Sequence, residues 1–440
     1  MLPAGYYTLT RSGGDEDNNV RGDLDVRDSL TITGAGAETT TIDANSLGRV
    51  FHVVSGTLTM SGVTLTGGTA SNGAGVSVAD GARLNLSQSI VRNNTASQGG
   101  GGIHTADTGA VLVLDQVQVR NNSADYGGGV YVWKGSLTAT DTTVDGNTVD
   151  KWGAGVYVEN GSASLTRVTS SNNSTPLQGG GLFLEGNGAT LSVSNSTISG
   201  NHADEGGGIY VWSGTLSVDS STIANNTASF GSGLFFGGAD PATLTSTLVA
   251  GNNGSSNSNR AITSGGYNLD SGSSLGLSGT GDISNGAAQL AALANNGGFT
   301  QTHALLAGSA AINAGNPAAP ATDQRGQARI GTPDIGAYEL SITVNATPVN
   351  NVPGAQSAIE DSWLAIGGIS VTDADQGGGV TAHELYSVAL SVSNGRLEVT
   401  LAGAAVITAG TNVSAALTLG GSQSDINATL ATLRYQGLPD

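Results

Sequence analysis

A phrase of about 26 residues that occurs seven times limits what this chain can fold into more than any other feature. GGGIYVWSGTLSVDSSTIANN, at 206–226, reappears as GGGVYVWKGSLTATDTTVDGN, GAGVYVENGSASLTRVTSSNN and GGGLFLEGNGATLSVSNSTISGN. Its first glycine falls at Gly73, Gly100, Gly127, Gly153, Gly179, Gly206 and Gly231, and its closing asparagine at Asn94, Asn122, Asn147, Asn173, Asn201, Asn226 and Asn252. So regular a period is the mark of a solenoid, in which each repeat packs only against its neighbours.

Within each repeat the apolar residues alternate, so the unit is built of strands. Val76, Ile103, Val130, Val156, Leu182, Ile209 and Leu234 begin one inward row, and Leu84, Leu112, Leu137, Ala163, Leu191, Leu216 and Ala242 begin a second. A third strand carries Val91, Val119, Val144, Ile198 and Ile223, with Ser170 breaking the row. Three short strands per repeat and no helical pattern between them predict an all-β chain, a parallel β-helix. Its coils would stack at ~4.8 Å, and about ten of them would span roughly 45–50 Å. Glycine supplies the positive-φ corner. Asparagine is placed to form a ladder of stacked amides at the next corner. The repeats assign 1–340 to the solenoid: 1–48 as N-terminal cap and first coils, 49–255 as regular coils, 256–340 as a C-terminal cap region. From 341 to 440 the pattern changes to alternating strands with turns every eight to twelve residues, which predicts a β-sandwich.

Charge and composition exclude several functions. The net charge of −19, with only 15 Lys and Arg, leaves no basic patch for nucleic acid. The chain has no cysteine, so no disulfide, thiolate nucleophile or Cys-ligated zinc can form. No apolar run reaches the length of a membrane span, so no membrane insertion is expected of this segment. MLPAGYYTLT carries no leader pattern, and the chain reads as a piece of a longer one.

Three stretches carry a resemblance. LPAGYYTLT, GDLDVRDSLTITGAG and RVFHVVSGTLTMSGVTLTGG resemble the N-terminal part of the CSLREA-type bacterial secreted proteins. NNGGFTQTHALL, GSAAINAG, TDQRG and DIGAYE, in that order, resemble the end of the choice-of-anchor Q domain. The repeats between are similar to those of polymorphic outer-membrane proteins. This resemblance implies a right-handed β-helix on an exported protein, extracellular or at the bacterial cell surface. Residues 341–440 resemble the cadherin-like or Ig-like modules of large bacterial adhesins, with the last strand cut short. In those modules acidic loop residues hold Ca²⁺, which here points to Glu360, Asp361, Asp373 and Asp375.

The outward positions carry the candidate sites. Between the two inward columns of the first strand lie Tyr131, Tyr157, Phe183, Tyr210 and Phe235. Two residues on come Trp133, Glu159, Glu185 and Trp212, and just before the glycines come Tyr126, Trp152 and Phe230. Tyr131, Trp133, Trp152, Tyr157, Phe183, Tyr210, Trp212 and Phe235 are therefore expected to form a contact face for a glycan or a surface protein. The same rings could instead be a self-stacking ladder that stiffens the sheet. Glu159 and Glu185, in neighbouring coils, fit the spacing of a retaining glycosidase pair, a cation site, or two solvated acids. Asp323, Arg325 and Asp334 are expected to form a cap salt bridge. Three functions follow: a monomeric, non-enzymatic adhesin, a polysaccharide-active enzyme using Glu159 and Glu185, or a purely structural stalk.

Overall fold

The computed structural model describes residues 1–13, 22–340, 348–372 and 386–439. The chain divides into two compact units, Met1–Leu340 and Ser341–Asp440.

The first unit winds as a solenoid of parallel strands. Its first sheet has nine strands, from Leu24–Val26 to Leu234–Phe236. The second has ten, from Leu30–Thr33 to Thr263–Ser264, and the third twelve, from Gly5–Thr8 to Ile283–Ser284. The nine-stranded sheet sets about nine full turns, close to the ten expected. Register follows the repeat: Val130 pairs with Val156, Val156 with Leu182 and Leu182 with Ile209. The inward rows fill the lumen, where Val76, Ile103, Val130, Leu182, Ile209 and Leu234 are fully buried. Ser170, the polar break in the third row, donates to the Gly181 carbonyl at 3.3 Å and accepts from Asn173 at 3.1 Å.

The closing asparagines form the expected ladder. Nδ2 of Asn94, Asn122, Asn147, Asn173, Asn201 and Asn226 each donates to Oδ1 of the next, at 2.9–3.1 Å. Each Oδ1 also accepts the preceding asparagine's backbone N–H, as Asn147 does from Asn122 at 2.9 Å. The residue before each rung is left-handed: Asn121, Asn172 and Asn225 have φ of 53–58°, and glycine stands there at Gly146, Gly200 and Gly251. Asparagine is the residue other than glycine that tolerates this conformation best, which accounts for the NN and GN pairs.

The C-terminal part of this unit does more than close an end. Residues 286–340 run back along the outer face of the third sheet as a strap. Gln324, buried, donates through Nε2 to Thr169 and Thr300 hydroxyls at 2.9 Å, and its Oε1 accepts from Thr197 at 2.6 Å. Ser199 bonds His303 at 2.8 Å, and the Ala337 N–H donates to Thr222. Leu248, Ala250, Leu305, Ala311 and Ile335 form the apolar seam beneath it.

Asp323 and Arg325 form the expected ion pair at 2.6 Å, but Asp334 does not join it. Asp334 accepts the backbone N–H groups of Asn313 and Leu340, and a further buried ion pair in the strap joins Arg329 to Glu339 at 3.3 Å. Burial raises the Asp334 carboxyl to about 6.

The second unit is made of short antiparallel strands around Val371, Leu397, Leu417, Leu419, Ile426 and Leu430. It also contains a helix, Gln423–Leu430, that the alternating pattern did not suggest. Ser422 caps it by accepting the Asp425 N–H at 3.2 Å, and the local SQSD spacing is the signal for it. Glu360 and Asp361 are exposed in this unit, whereas Asp373 and Asp375 lie outside the described residues.

Candidate functional site

The outer surface of the first sheet carries two parallel rows of chemistry-bearing side chains. One row reads Ser77, His104, Tyr131, Tyr157, Phe183, Tyr210, Phe235, each residue the in-register partner of the next. The rings stack almost flat at three steps: Tyr131 on Tyr157 at 4.9 Å, Phe183 on Tyr210 at 4.8 Å and Tyr210 on Phe235 at 5.2 Å. Tyr157 meets Phe183 edge-on at 4.8 Å. Trp152 leans over Phe183 from the side, and Tyr126 over Tyr157.

These rings point away from the lumen, yet Tyr157, Phe183 and Tyr210 are only 1–2% exposed. The glycine corner explains why. Gly127 has φ +57°, and a Cβ there would stand 2.6 Å from the Cβ of Tyr131. At Gly153 the corresponding approach to Tyr157 is 2.7 Å. The chain thus folds tightly against the ring row before entering the sheet, and alternation alone does not reveal that cover. At the polar end of the row, His104 is buried with Nδ1 lacking a partner, and burial, aided by Arg49, lowers its pKa to about 4.

The second row, Trp133, Glu159, Glu185 and Trp212, stays accessible. Glu159 and Glu185 are register partners in adjacent coils and half-buried. Each carboxylate accepts a hydrogen bond from the tyrosine hydroxyl of the preceding coil, Tyr131 to Glu159 and Tyr157 to Glu185 (2.6 Å for the latter). Burial and these carboxylates raise both phenols, which stay protonated as donors. Trp212 is 50% exposed and nearly parallel to Tyr210. Its indole sits where a Cβ on Gly237 would fall, 2.9 Å away, so the glycine makes its bed. Across the buried rings Phe230 is 54% exposed.

The chain's two lysines both sit on this face. Lys134 places Nζ 4.4 Å from the Trp133 ring centre, and Lys151 places Nζ 4.8 Å from that of Tyr126. Arg167 lies elsewhere and pairs with Asp141 at 2.7 Å. One further cluster escaped the sequence reading because its members are a coil apart. Asp23, Asp25 and His52 bring their ligand atoms within 4.8 Å of one another, although Asp23 already holds the buried Arg49 at 2.7 Å.

The model of the right-handed β-helix region matches residues 50–228 and 128–285, together more than half of the chain. The chain belongs to the right-handed β-helix family. No curated protein and no solved structure matched it. Among the described residues of this β-helix, no helix is long and apolar enough to cross a membrane.

Proposed function

We propose that this β-helix is a non-enzymatic adhesin segment, presented outside the cell or at the bacterial surface, that binds a glycan along the row Trp133, Glu159, Glu185, Trp212. One observation carries the reading: Trp212 lies flat on a glycine bed with half its surface free, three coils or ~14 Å from Trp133, with two held carboxylates between them. Flat indoles stack on sugar rings, and carboxylates fixed by tyrosines accept hydrogen bonds from sugar hydroxyls. Tyr157, Phe183 and Tyr210 underpin this surface, and Tyr131 and Tyr157 also aim the two acids. Trp152 and Phe235 flank it. The resemblance of 295–339 to the choice-of-anchor Q domain, and of 341–440 to cadherin-like modules, supports the exported setting. In that setting Glu360 and Asp361, with Asp373 and Asp375, form a calcium site in a spacer module, and the solenoid acts as a monomer.

A glycan array with the parent chain, Trp212→Ala and Trp133→Ala tests this, run with and without EDTA. The parent binds a defined glycan class, each variant loses it, and the thermal midpoint of Trp212→Ala stays within about 2 °C of the parent, as for an exposed side chain. Equal binding by parent and variants removes the glycan surface. Release of reducing ends from a polysaccharide, abolished by Glu159→Gln or Glu185→Gln, replaces it with the enzyme reading, for which the in-register carboxylates are the favouring observation.

A further inference from the structure

The outer row of the third sheet changes character along its length. Reading by register, it runs Arg92, Arg120, Asp145, Ser171, Ser199, Ala224, Ala250. From Ser171 onward the residues are small, and the strap covers them. Before that point none of the described strap residues bonds to the row, and two arginines stand one coil apart, ~4.8 Å at the backbone. Like charges directly opposite one another destabilise a sheet, so this pairing has a cost.

Among the described residues the two guanidinium groups have no ion-pair partner. Among the described residues the side chain of neither Arg92 nor Arg120 makes a hydrogen bond or an ion pair, and the Nε of each is buried without a partner. Arg49, Arg167, Arg325, Arg329 and Arg434, by contrast, are all ion-paired. The nearest carboxylates in the row are committed elsewhere. Asp145 accepts from the Ser171 hydroxyl at 2.7 Å and from Asn172 Nδ2 at 2.8 Å. Asp43, two coils before Arg92, accepts from the Tyr6 hydroxyl and from the Asn45 N–H. In a chain of net charge −19, two adjacent arginines left unpaired are a local exception.

We infer that Arg92 and Arg120 form an oxyanion-binding site on the open half of the third sheet, taking a sulfate, phosphate or carboxylate group between their two guanidinium forks. The planar fork matches such groups in two-point contact, and one bound anion relieves the repulsion between the arginines. The flanking carboxylates, Asp145 one coil from Arg120 and Asp43 two coils from Arg92, are held by their own hydrogen bonds, so the position between the two guanidinium groups is the one with net positive charge. This site stands on a different sheet from the proposed glycan row and does not depend on it.

The test uses the full chain, with sodium sulfate and a sulfated disaccharide as separate probes against sodium chloride at matched ionic strength. Sulfate stabilises most proteins through exclusion from the surface, so the comparison that decides is parent against Arg92→Gln/Arg120→Gln. In chloride alone the double variant melts at or above the parent temperature, because a like-charge pair has been removed. Isothermal titration then gives saturable binding to the parent and about ten-fold or more weaker binding to the double variant, the size expected for losing charge-assisted hydrogen bonds. Arg92→Lys/Arg120→Lys, which keeps the charge and loses the fork, falls between them. Tighter binding of the disaccharide than of sulfate assigns the site to a sulfated glycan, and equal binding assigns it to a free anion. No saturable binding by the parent, or equal binding by parent and double variant, overturns the inference.

Discussion

At the scale of the residue, the asparagine ladder carries the sharpest energetic statement. Removing Asn147 leaves Asn122 Nδ2 and Asn122 N–H without their acceptor and takes a donor from the Val119 carbonyl, all in a buried corner. Orphaned buried groups cost ~1–3 kcal/mol each, so Asn147→Ala should lose about 3 kcal/mol or more in urea unfolding. Asn252→Ala, at a half-buried rung near the end, should lose less. Two buried titrating groups give stability opposite pH slopes. The folded pKa of His104 is lowered from 6.5 to about 4, so the unfolded chain takes the proton first. Its contribution is complete above pH ~6.5 and is lost as pH falls through 4. The folded pKa of Asp334 is raised from 3.8 to about 6, so its contribution is complete below pH ~3.8 and is lost as pH rises through 6. NMR titration should place the two midpoints near those values. Ordinary midpoints at either residue would remove its part of this picture.

At the scale of the element, the sequence carried the strands plainly and their cover poorly. Each inward row is a string of Val, Leu and Ile at period two, so strand positions, lumen and ladder were legible from 73 to 252. The aromatic row was equally legible as outward-pointing. Its burial was not, because the cover comes from a backbone corner several residues upstream. Period two tells which side a ring takes, and nothing about what folds over that side. The strap was missed for a related reason: its contacts join residues more than a hundred apart, as Gln324 joins Thr169. A signal was present in the third sheet, where Arg92 and Arg120 give way to Ser171, Ser199 and Ala224, since residues shrink where another segment must lie close. Gln324→Ala should therefore open the strap before the coils. Amide exchange should quicken across 296–305 and 322–340, with a loss of about 2 kcal/mol, while the ladder amides at 147–201 keep their protection. Uniform quickening along the whole solenoid would show that strap and coils unfold as one.

At the scale of the whole molecule, the repeat makes the solenoid a one-dimensional stack, and both the glycan row and the arginine pair follow from it. The glycan row joins Trp133 to Trp212 and the arginine pair joins 92 to 120 only because residues about 26 apart meet in register. The absence of cysteine in the native chain gives a clean way to read that register. Thr138 and Ser164 are exposed partners on the second sheet, and adjacent strands bring such partners within the Cα range of a disulfide. Oxidised Thr138→Cys/Ser164→Cys should form an intramolecular disulfide, mapped by mass spectrometry. Thr138→Cys/Ser192→Cys, two coils apart, should stay reduced under the same conditions. A crosslink in the second pair and none in the first would contradict the stacking on which both sites rest.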